Sequence, residues 1–198
     1  MADYAKLTIG ILAIQGDFER HTCQVSLVGA TPKLVKLPRD LEQIHALILP
    51  GGESTTMSIM LDRHELRSAL LEFGKSLPVY GTCAGMIMLA KDIKDNQAGV
   101  EPLGLMDIDV VRMGYGRQVF SFEDNLKANL NGTVANLKAT FIRAPMITRV
   151  GHSVQTLAEY DGVPVLVTEK NLMASSFHTE LDDDTTLLRY FRQRFFQV

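Results

Sequence analysis

The chain has 198 residues, of which 46% are hydrophobic, and a formal net charge of −3. A chain of this length and composition can bury a substantial core, and we expect a single domain over residues 1–198. Positive and negative residues alternate along the sequence without a basic block or an acidic tail. The charge pattern therefore gives no support to binding of nucleic acid or of a membrane surface.

The N-terminal region contains the apolar stretch Leu7–Ile14. Gln15 and Asp17 end this stretch before it is long enough to span a bilayer, and no small-residue cleavage site follows. It is predicted to be a buried strand and not a signal peptide. The two cysteines, Cys23 and Cys83, allow at most one bridge. Two free thiols in a cytosolic protein are the simpler interpretation.

The first half of the chain alternates between predicted strands and helices. Strands are predicted at 7–14, 33–37, 45–52 and 78–81. Helices are predicted at 17–29, within 54–74 and within 84–93. This alternation predicts an α/β fold of three layers, in which helices cover both faces of a mostly parallel sheet.

The second half is predicted to add antiparallel strands to the sheet. Its extended segments are 104–113, 117–122, 138–144, 153–160 and 163–170. Asp161 and Gly162 separate the last two segments, and such a pair is typical of a hairpin turn. A final helix within 182–198 places Leu187, Phe191 and Phe195 on one stripe, which should pack on the sheet.

One cysteine lies at the junction of a predicted strand and a predicted helix, in the sequence GTCAG at 81–85. This is the G-x-nucleophile-x-G pattern of a nucleophile elbow, whose small residues let the chain turn sharply at the carboxyl end of a sheet. The start of the helix favours the thiolate of Cys83, and the amide of Ala84 is placed to donate to an oxyanion. A buried structural cysteine at a tight glycine turn is the alternative.

Only one of the five histidines has an acidic partner at an informative spacing. In an extended chain, His178 and Glu180 project to the same side. A carboxylate beside an imidazole holds one tautomer and stabilises the imidazolium. In the alternative interpretation, His178 ends a strand and Glu180 begins a solvated acidic lead into the last helix. Because Cys83 also follows a predicted strand, the three residues are expected to meet along one edge of the sheet.

Two glycines, Gly51 and Gly52, lie between a predicted strand and a helix. Their backbone amides can approach a substrate closely, and one of them can complete an oxyanion hole with Ala84. An ordinary turn with Ser54 or Thr55 as the helix cap is the alternative. The lysine and the glycine spacing of a P-loop are lacking, so nucleotide binding is not expected.

Six segments together resemble the class I, or triad, glutamine amidotransferases, and most closely the branch that contains the glutaminase subunits of pyridoxal 5′-phosphate synthases. The segments are GILAIQGDFERH, LILPGGESTTM, YGTCAGMIMLAK, GYGRQVFSF, FIRAP and SSFHTEL. They occur in the order and spacing of the family over nearly the whole chain, and the first, fourth and fifth distinguish the pyridoxal branch. The resemblance implies that Cys83 is the nucleophile and that His178 and Glu180 complete the triad.

The resemblance also implies a set of glutamine-binding positions. They are Gly52, Glu53, Ser54, Arg112, Ile142 and Arg143. The two arginines suit the α-carboxylate of the substrate, although a surface ion pair or a partner contact is the alternative for either one. The chain departs from the family at Thr179, where proline is usual, and at Met113 and Gly114, where many relatives have asparagine and serine. Threonine suits an extended backbone, so we expect an effect on rigidity and not a loss of activity.

The implied reaction is hydrolysis of L-glutamine to L-glutamate and ammonia through a thioester on Cys83, with an oxyanion held near Gly52 and Ala84. No metal, pyridoxal phosphate or other cofactor is expected on this chain, because no cluster has ligand spacing. The resemblance further implies docking on a barrel-shaped synthase subunit in a hetero-oligomeric complex. That subunit receives the ammonia through a channel, and docking is expected to complete the oxyanion hole. Polar residues within 14–21 can form the contact surface, or Asp17 can simply cap a helix.

Two other functions remain open at this point. A cysteine hydrolase or a redox-protective protein can share the elbow, although such proteins generally lack the H-x-E pair and the PGGEST segment. A catalytically silent scaffolding subunit can bind the synthase without turnover. The complete triad argues against the silent subunit, and Thr179 leaves it open.

Overall fold

The computed structural model describes residues 7–114, 121–182 and 184–196. In the first half the elements are β1 (Thr8–Leu12), α1 (Phe18–Leu27), β2 (Thr31–Val35), a 3₁₀ turn (Pro38–Leu41), β3 (Ala46–Leu49), α2 (Ser54–Arg63), α3 (Leu66–Ser76), β4 (Val79–Thr82), α4 (Ala84–Leu89) and β5 (Ala90–Ile93). In the second half they are β6 (Met106–Val111), β7 (Ser121–Leu130), β8 (Thr133–Ile142), β9 (Met146–Val150), β10 (Gln155–Tyr160), β11 (Val163–Glu169), β12 (Leu172–Ser175) and α5 (Thr186–Phe196).

The central sheet has seven strands in the order β10-β11-β12-β4-β3-β1-β2. The five strands from β12 to β2 pair in parallel, and β10, β11 and β12 pair antiparallel. The predicted mostly parallel sheet with antiparallel additions is therefore confirmed, and the additions are the segments at 153–160 and 163–170. The predicted segments at 104–113 and 138–144 do not join this sheet, because they pair within two smaller sheets, β5-β6-β9 and β7-β8. The predicted hairpin turn is also present, because Asp161 and Gly162 join β10 to β11 with positive φ angles of 49° and 75°.

The sheet divides the buried side chains into two cores. Along β3, Ala46 and Ile48 belong to one core, whereas Leu47 and Leu49 belong to the other. Because neighbouring side chains of a strand project to opposite faces, these cores lie on the two sides of the sheet. The first contains residues of α1, α5 and the β7–β8 hairpin, and the second contains residues of α2, α3, α4 and the small sheet β5-β6-β9. The predicted three layers are therefore present.

The last helix packs on the sheet as its sequence predicts. Leu187 and Phe191 are buried in the first core, and Phe195 packs against it with partial burial. The ring of Phe191 lies 5.8 Å from that of Tyr80 in β4, measured between centroids. Aromatic contacts of this kind add to the apolar burial of the helix. The helix thus fixes β4, the strand that leads to Cys83.

Two predicted helices differ from the structure. The stretch 54–74 forms α2 and α3 instead of one helix, because Glu65 adopts a left-handed conformation with φ of 57° between them. The predicted helix at 84–93 ends at Leu89, because Ala90–Ile93 pairs in parallel with β6. The predicted strand at 117–122 is seen only from Ser121, and residues 117–120 lie outside the described residues.

The topology brings several loops to one edge of the sheet. Strands β1, β3, β4 and β12 are parallel, so their carboxyl ends lie side by side. Open α/β sheets bind their ligands at such an edge. The residues that follow these four strands include Gln15, Gly52, Cys83 and His178. Across the described ranges, no helix is long and apolar enough to cross a membrane.

Candidate active site

The turn between β4 and α4 has the backbone geometry of a nucleophile elbow. Cys83 adopts φ of 50° and ψ of −104°, a strained conformation for a residue with a side chain. The residues two positions before and after Cys83 are glycines for steric reasons. A Cβ atom on Gly81 would overlap the carbonyl of Gly85, and a Cβ atom on Gly85 would overlap the carbonyl of Leu49. The turn therefore needs both glycines, and it leaves Cys83 with 6% of its surface exposed.

Pairing of β4 with β12 brings the second part of the predicted triad beside the first. Thr82 is opposite Ser175 in the parallel register, and the amide of Cys83 donates to the carbonyl of Ser175 over 2.8 Å. The chain leaving β12 consequently passes the elbow. His178 lies on this segment, and its side chain lines the same cavity as Cys83.

His178 is fixed by its backbone and by its ring. Its amide donates to the carbonyl of Thr140 in β8 over 2.8 Å, so the β7–β8 hairpin holds the segment in place. On the ring, Nδ1 lies 2.5 Å from Oε1 of Glu180, whose side chain has no exposed surface. The solvated position that the alternative interpretation gave to Glu180 is therefore wrong. The arrangement runs from sulfur to imidazole to a buried carboxylate.

The electrostatics of these groups favour a charged imidazole. Burial opposes a charge on His178, but hydrogen bonds with Cys83 and Glu180 outweigh it and raise the pKa of His178 to about 10. Burial likewise opposes a charge on Glu180, yet contacts with His178 and His21 hold the pKa of this carboxyl well below its usual range. Hydrogen bonds to the charged form stabilise that form. An imidazolium that lies between sulfur and carboxylate is the state that this site prefers.

The raised pKa of His178 predicts a change of stability with pH. Its value in the folded chain, about 10, lies above the ordinary 6.5, so protonation of His178 stabilises the fold. This contribution is complete below pH 6.5 and is lost as the pH rises through about 10. Between these limits the free energy of unfolding should fall more steeply for wild type than for His178→Asn, as chemical denaturation would measure. The exposed His152 provides the control, and His152→Asn should keep the slope of wild type. Equal slopes for all three proteins would contradict the assignment.

A cavity of about 170 Å³ opens beside Cys83. Its lining residues are Gly52, Glu53, Ser54, Cys83, Ile87, Arg112, Met113, Ile142, Arg143 and His178. Every residue of the predicted site is in this set except Glu180 and Ala84, which are buried and do not line the cavity. The volume is below the ~300 Å³ at which pockets for drug-sized ligands begin, so it suits a small molecule such as an amino acid.

One wall of the cavity is a charged pair at the start of α2. Glu53 is the cap of this helix, and its carboxylate accepts from the amide of Thr56 over 2.8 Å. The alternative caps Ser54 and Thr55 are not used. Arg112 donates to the other oxygen of Glu53 over 3.2 Å. The cap and the ion pair together hold the Glu53 carboxylate and the guanidinium at the cavity wall.

Another part of the cavity lining lies at the end of β8. Arg143 has a positive φ of 44° and makes no ion pair with any residue in the described ranges. Its neighbour Ile142 is partly exposed, and the carbonyl of Ile142 lies 4.0 Å from the sulfur of Cys83. A cationic group at this position can pair with an anionic group of a ligand.

The glycine turn before α2 is clamped from two sides. Gly52 has φ of 148°, and a Cβ atom there would overlap the side chain of Gln15, whose Oε1 accepts from the amide of Glu53 over 2.9 Å. A Cβ atom on Gly51 would overlap the ring of His178. The turn is therefore in contact with both the loop after β1 and the predicted catalytic histidine. Asp17, in the same loop, stands at the start of α1 but makes no side-chain cap hydrogen bond.

The sequence analysis did not identify two residues at this site, Ile87 and Gln15. Ile87 lines the cavity and lies one helical turn after Cys83, a spacing that would have placed it on the same face of α4. Gln15 lies near no other predicted site residue in the sequence, and only the fold brings it to Gly52. The segment 115–120, part of the motif that distinguishes the pyridoxal branch, lies outside the described residues. Across the described ranges, no group of three or more His, Cys, Asp or Glu residues is arranged to hold a metal ion.

Comparison with known sequences identifies close relatives. A sequence profile of the SNO glutamine amidotransferase family matches residues 11–197. A Francisella philomiragia protein named pyridoxal 5′-phosphate synthase subunit PdxT is 45% identical over 186 residues, which cover 93% of this chain and 97% of that protein. Proteins of the same name from Kosmotoga olearia and Thermotoga maritima are 47% and 46% identical, over 93% of this chain and 96% and 97% of their own lengths.

Comparison with solved structures agrees with the sequence relationship. A crystal structure of a glutamine amidotransferase has a TM-score of 0.87 at 39% identity and covers 93% of this chain and 97% of that one. A chain in the structure of PurLQS from Thermotoga maritima has a TM-score of 0.69 at 14% identity, over 96% of this chain and 99% of that one, which shows a shared fold. Because the profile and the relatives extend over almost the whole sequence, this chain belongs to the SNO glutamine amidotransferase family.

Proposed function

We propose that this chain is the glutaminase subunit of a pyridoxal 5′-phosphate synthase. It hydrolyses L-glutamine to L-glutamate and ammonia and delivers the ammonia to a synthase subunit. One observation carries the proposal: a cavity of amino-acid size in a glutamine amidotransferase is lined by Cys83, by the imidazole of His178 and by two arginines. The name shared by its relatives supports the product and the partner.

In the first step the sulfur of Cys83 adds to the side-chain carboxamide carbon of glutamine. The developing oxyanion accepts hydrogen bonds from backbone amides, for which Gly52 and Ala84 are our candidates. The imidazolium of His178 donates its proton to the nitrogen that leaves, so the C–N bond breaks and ammonia is released. The acyl group remains on Cys83 as a thioester.

In the second step water cleaves the thioester. His178, now neutral, accepts a proton from the attacking water, and the C–S bond breaks to release glutamate and restore the thiolate and the imidazolium. Glu180 takes no proton in this cycle. Its hydrogen bond to Nδ1 of His178 keeps the other ring nitrogen directed at the reacting atoms and stabilises the charged ring.

Arg143 is proposed to bind the α-carboxylate of glutamine, because this arginine lines the cavity without an ion pair in the described chain. Replacing it in Arg143→Met should raise the KM for glutamine by about 10- to 100-fold, the value of a lost charge-assisted hydrogen bond. The kcat should stay within about twofold, since the reacting atoms are untouched. Steady-state kinetics of the complex with a synthase subunit would measure both constants.

A surface arginine provides the matched control for this variant. Arg189 is exposed on α5, and Arg189→Met should leave both constants unchanged. A fall in kcat at an unchanged KM for Arg143→Met would contradict the role in ground-state binding and would place Arg143 in the chemical step.

The partner that we propose is a barrel-shaped synthase subunit in a hetero-oligomeric complex. The loop after β1 contacts the Gly52 turn through Gln15. A partner seated on this loop would therefore act on a proposed oxyanion donor. Glutamate formation should be measured for the chain alone and with a synthase subunit from an organism that has a PdxT relative. We expect little activity alone and a strong increase on binding. If the bound complex forms no glutamate, the proposal is wrong and a silent scaffolding role takes its place.

A further inference from the structure

A second histidine lies beside the predicted triad and has no role in the reaction as described so far. His21 is on α1 and has only 1% of its surface exposed. Its Nε2 atom lies 3.5 Å from Oε1 of Glu180 and 3.3 Å from Oγ1 of Thr82. Thr82 is the residue directly before Cys83. The imidazole of His21 therefore contacts both Thr82, at the end of β4, and the Glu180 carboxylate that supports His178.

The groups next to Nε2 of His21 determine whether this nitrogen carries a hydrogen. An ionised carboxylate only accepts hydrogen bonds, whereas a hydroxyl both donates and accepts. Nε2 of His21 must therefore carry hydrogen to make a favourable contact with Glu180, and the Thr82 oxygen can share that hydrogen. With this tautomer, the same oxygen of Glu180 faces two ring nitrogens, one from His21 and one from His178.

Glu180 has few other means of staying in place. Its Oε2 atom is buried and has no hydrogen-bond partner in the described chain. The terminal torsion of a glutamate side chain is soft, so a single contact with His178 leaves the carboxylate plane free to rotate. A second contact on Oε1 restricts that rotation.

The helix that carries His21 is itself anchored to the segment that carries Glu180. Gln24, three residues after His21, donates from its side-chain amide to the carbonyl of Thr179 over 2.9 Å and also to the carbonyls of Asp182 and Asp184. These bonds hold α1 in register with the backbone on both sides of Glu180. The position of the His21 ring is thus determined by the fold and not by its own torsions alone.

We propose that His21 is a positioning residue, which donates from Nε2 to Glu180 and holds that carboxylate against His178. The inference rests on the glutaminase function proposed above, and it adds His21 to the proposed triad of Cys83, His178 and Glu180 as a fourth residue. His21 does not touch the glutamine cavity, so it acts only through Glu180. Its loss should lower kcat and leave substrate binding unchanged.

The first test compares two substitutions in the full chain bound to a synthase subunit. His21→Leu removes the donor, and we expect kcat to fall about tenfold, the lower end of the loss found when the outer-shell partner of a metal-binding histidine is removed, while KM stays within about twofold. His21→Gln keeps an N–H near the position of Nε2 and should restore most of the kcat. Val25→Ala, a buried substitution on the same helix, controls for loosened packing and should keep the wild-type kcat.

The second test is a double-mutant cycle with Glu180→Gln. If His21 acts through Glu180, then His21→Leu should have almost no further effect on kcat in the Glu180→Gln background. The same cycle should be measured by denaturant unfolding, which needs no activity, and the two substitutions should again be non-additive. Additive effects in both measurements would overturn the proposal and leave His21 a core residue. An unchanged kcat for His21→Leu, in a complex whose wild type is active, would overturn it as well. An inactive wild-type complex would instead refute the glutaminase function, and the unfolding cycle would still decide the contact.

Discussion

Replacing Cys83 with alanine is expected to reduce glutamine hydrolysis by the bound complex by about 10⁴-fold or more, the size of effect seen when a catalytic nucleophile is removed. The sulfur is the only group at the elbow that can form the thioester, and a methyl group in its place leaves the turn between β4 and α4 unchanged. Glutamate release, followed with the complex at saturating glutamine, would measure the loss.

The second cysteine makes the comparison specific. Cys23 is an exposed free thiol on α1 and does not line the cavity beside Cys83. Cys23→Ala should therefore keep the activity of wild type. Turnover that survives in Cys83→Ala, with the synthase subunit shown to be bound, would contradict the assignment of the nucleophile.

Replacing Glu180 with glutamine should give the second largest effect, a fall in kcat of about 10³-fold with little change in KM. The carboxylate accepts from Nδ1 of His178, whereas a carboxamide can donate to it and so favour the wrong tautomer of the ring. In a serine protease, the equivalent exchange costs about 10⁴-fold. Glu180 is buried outside the cavity lining, so glutamine binding should be retained. Kinetics at varied glutamine concentration would separate the two constants.

A second buried glutamate provides the control for Glu180→Gln. Glu169 is 6% exposed, and its carboxylate accepts from the hydroxyl of Ser153 and from the amide of Asp107. Glu169→Gln should lower the free energy of unfolding and leave kcat unchanged. If Glu180→Gln and Glu169→Gln lowered kcat equally, the loss would come from disturbing a buried glutamate in the fold. The role of Glu180 in the reaction would then be refuted.

The parts of the fold that sequence predicted are those set by local pattern. Alternating apolar strands and helices indicate a parallel sheet. The pair Asp161 and Gly162 indicates a hairpin turn, because both residue types tolerate the positive φ that the turn requires. The glycines around Cys83 are similar, since a sharp turn needs small residues wherever it lies. Each of these patterns extends over a few residues and can be recognised without knowing where the rest of the chain lies.

The parts that sequence did not predict depend on distant partners. Ala90–Ile93 becomes a strand because β6 pairs with it, although its sequence continues a helical pattern. Glu65 breaks the helical stretch 54–74 without a glycine or a proline to mark the position. Gln15 and His21 lie in the segment 14–21, for which the sequence predicted only a partner surface or a helix start. They reach the site because β1 lies in the same sheet as β3 and β4.

The most direct test of the account asks whether glutamine reacts at Cys83. The bound complex should be treated with an electrophilic glutamine analogue and the labelled chain mapped by mass spectrometry, with and without excess glutamine. The account predicts a single label on Cys83, protected by glutamine and formed faster with the synthase subunit than without it. Labelling of Cys23 alone, or labelling of Cys83 that glutamine does not prevent, would contradict it.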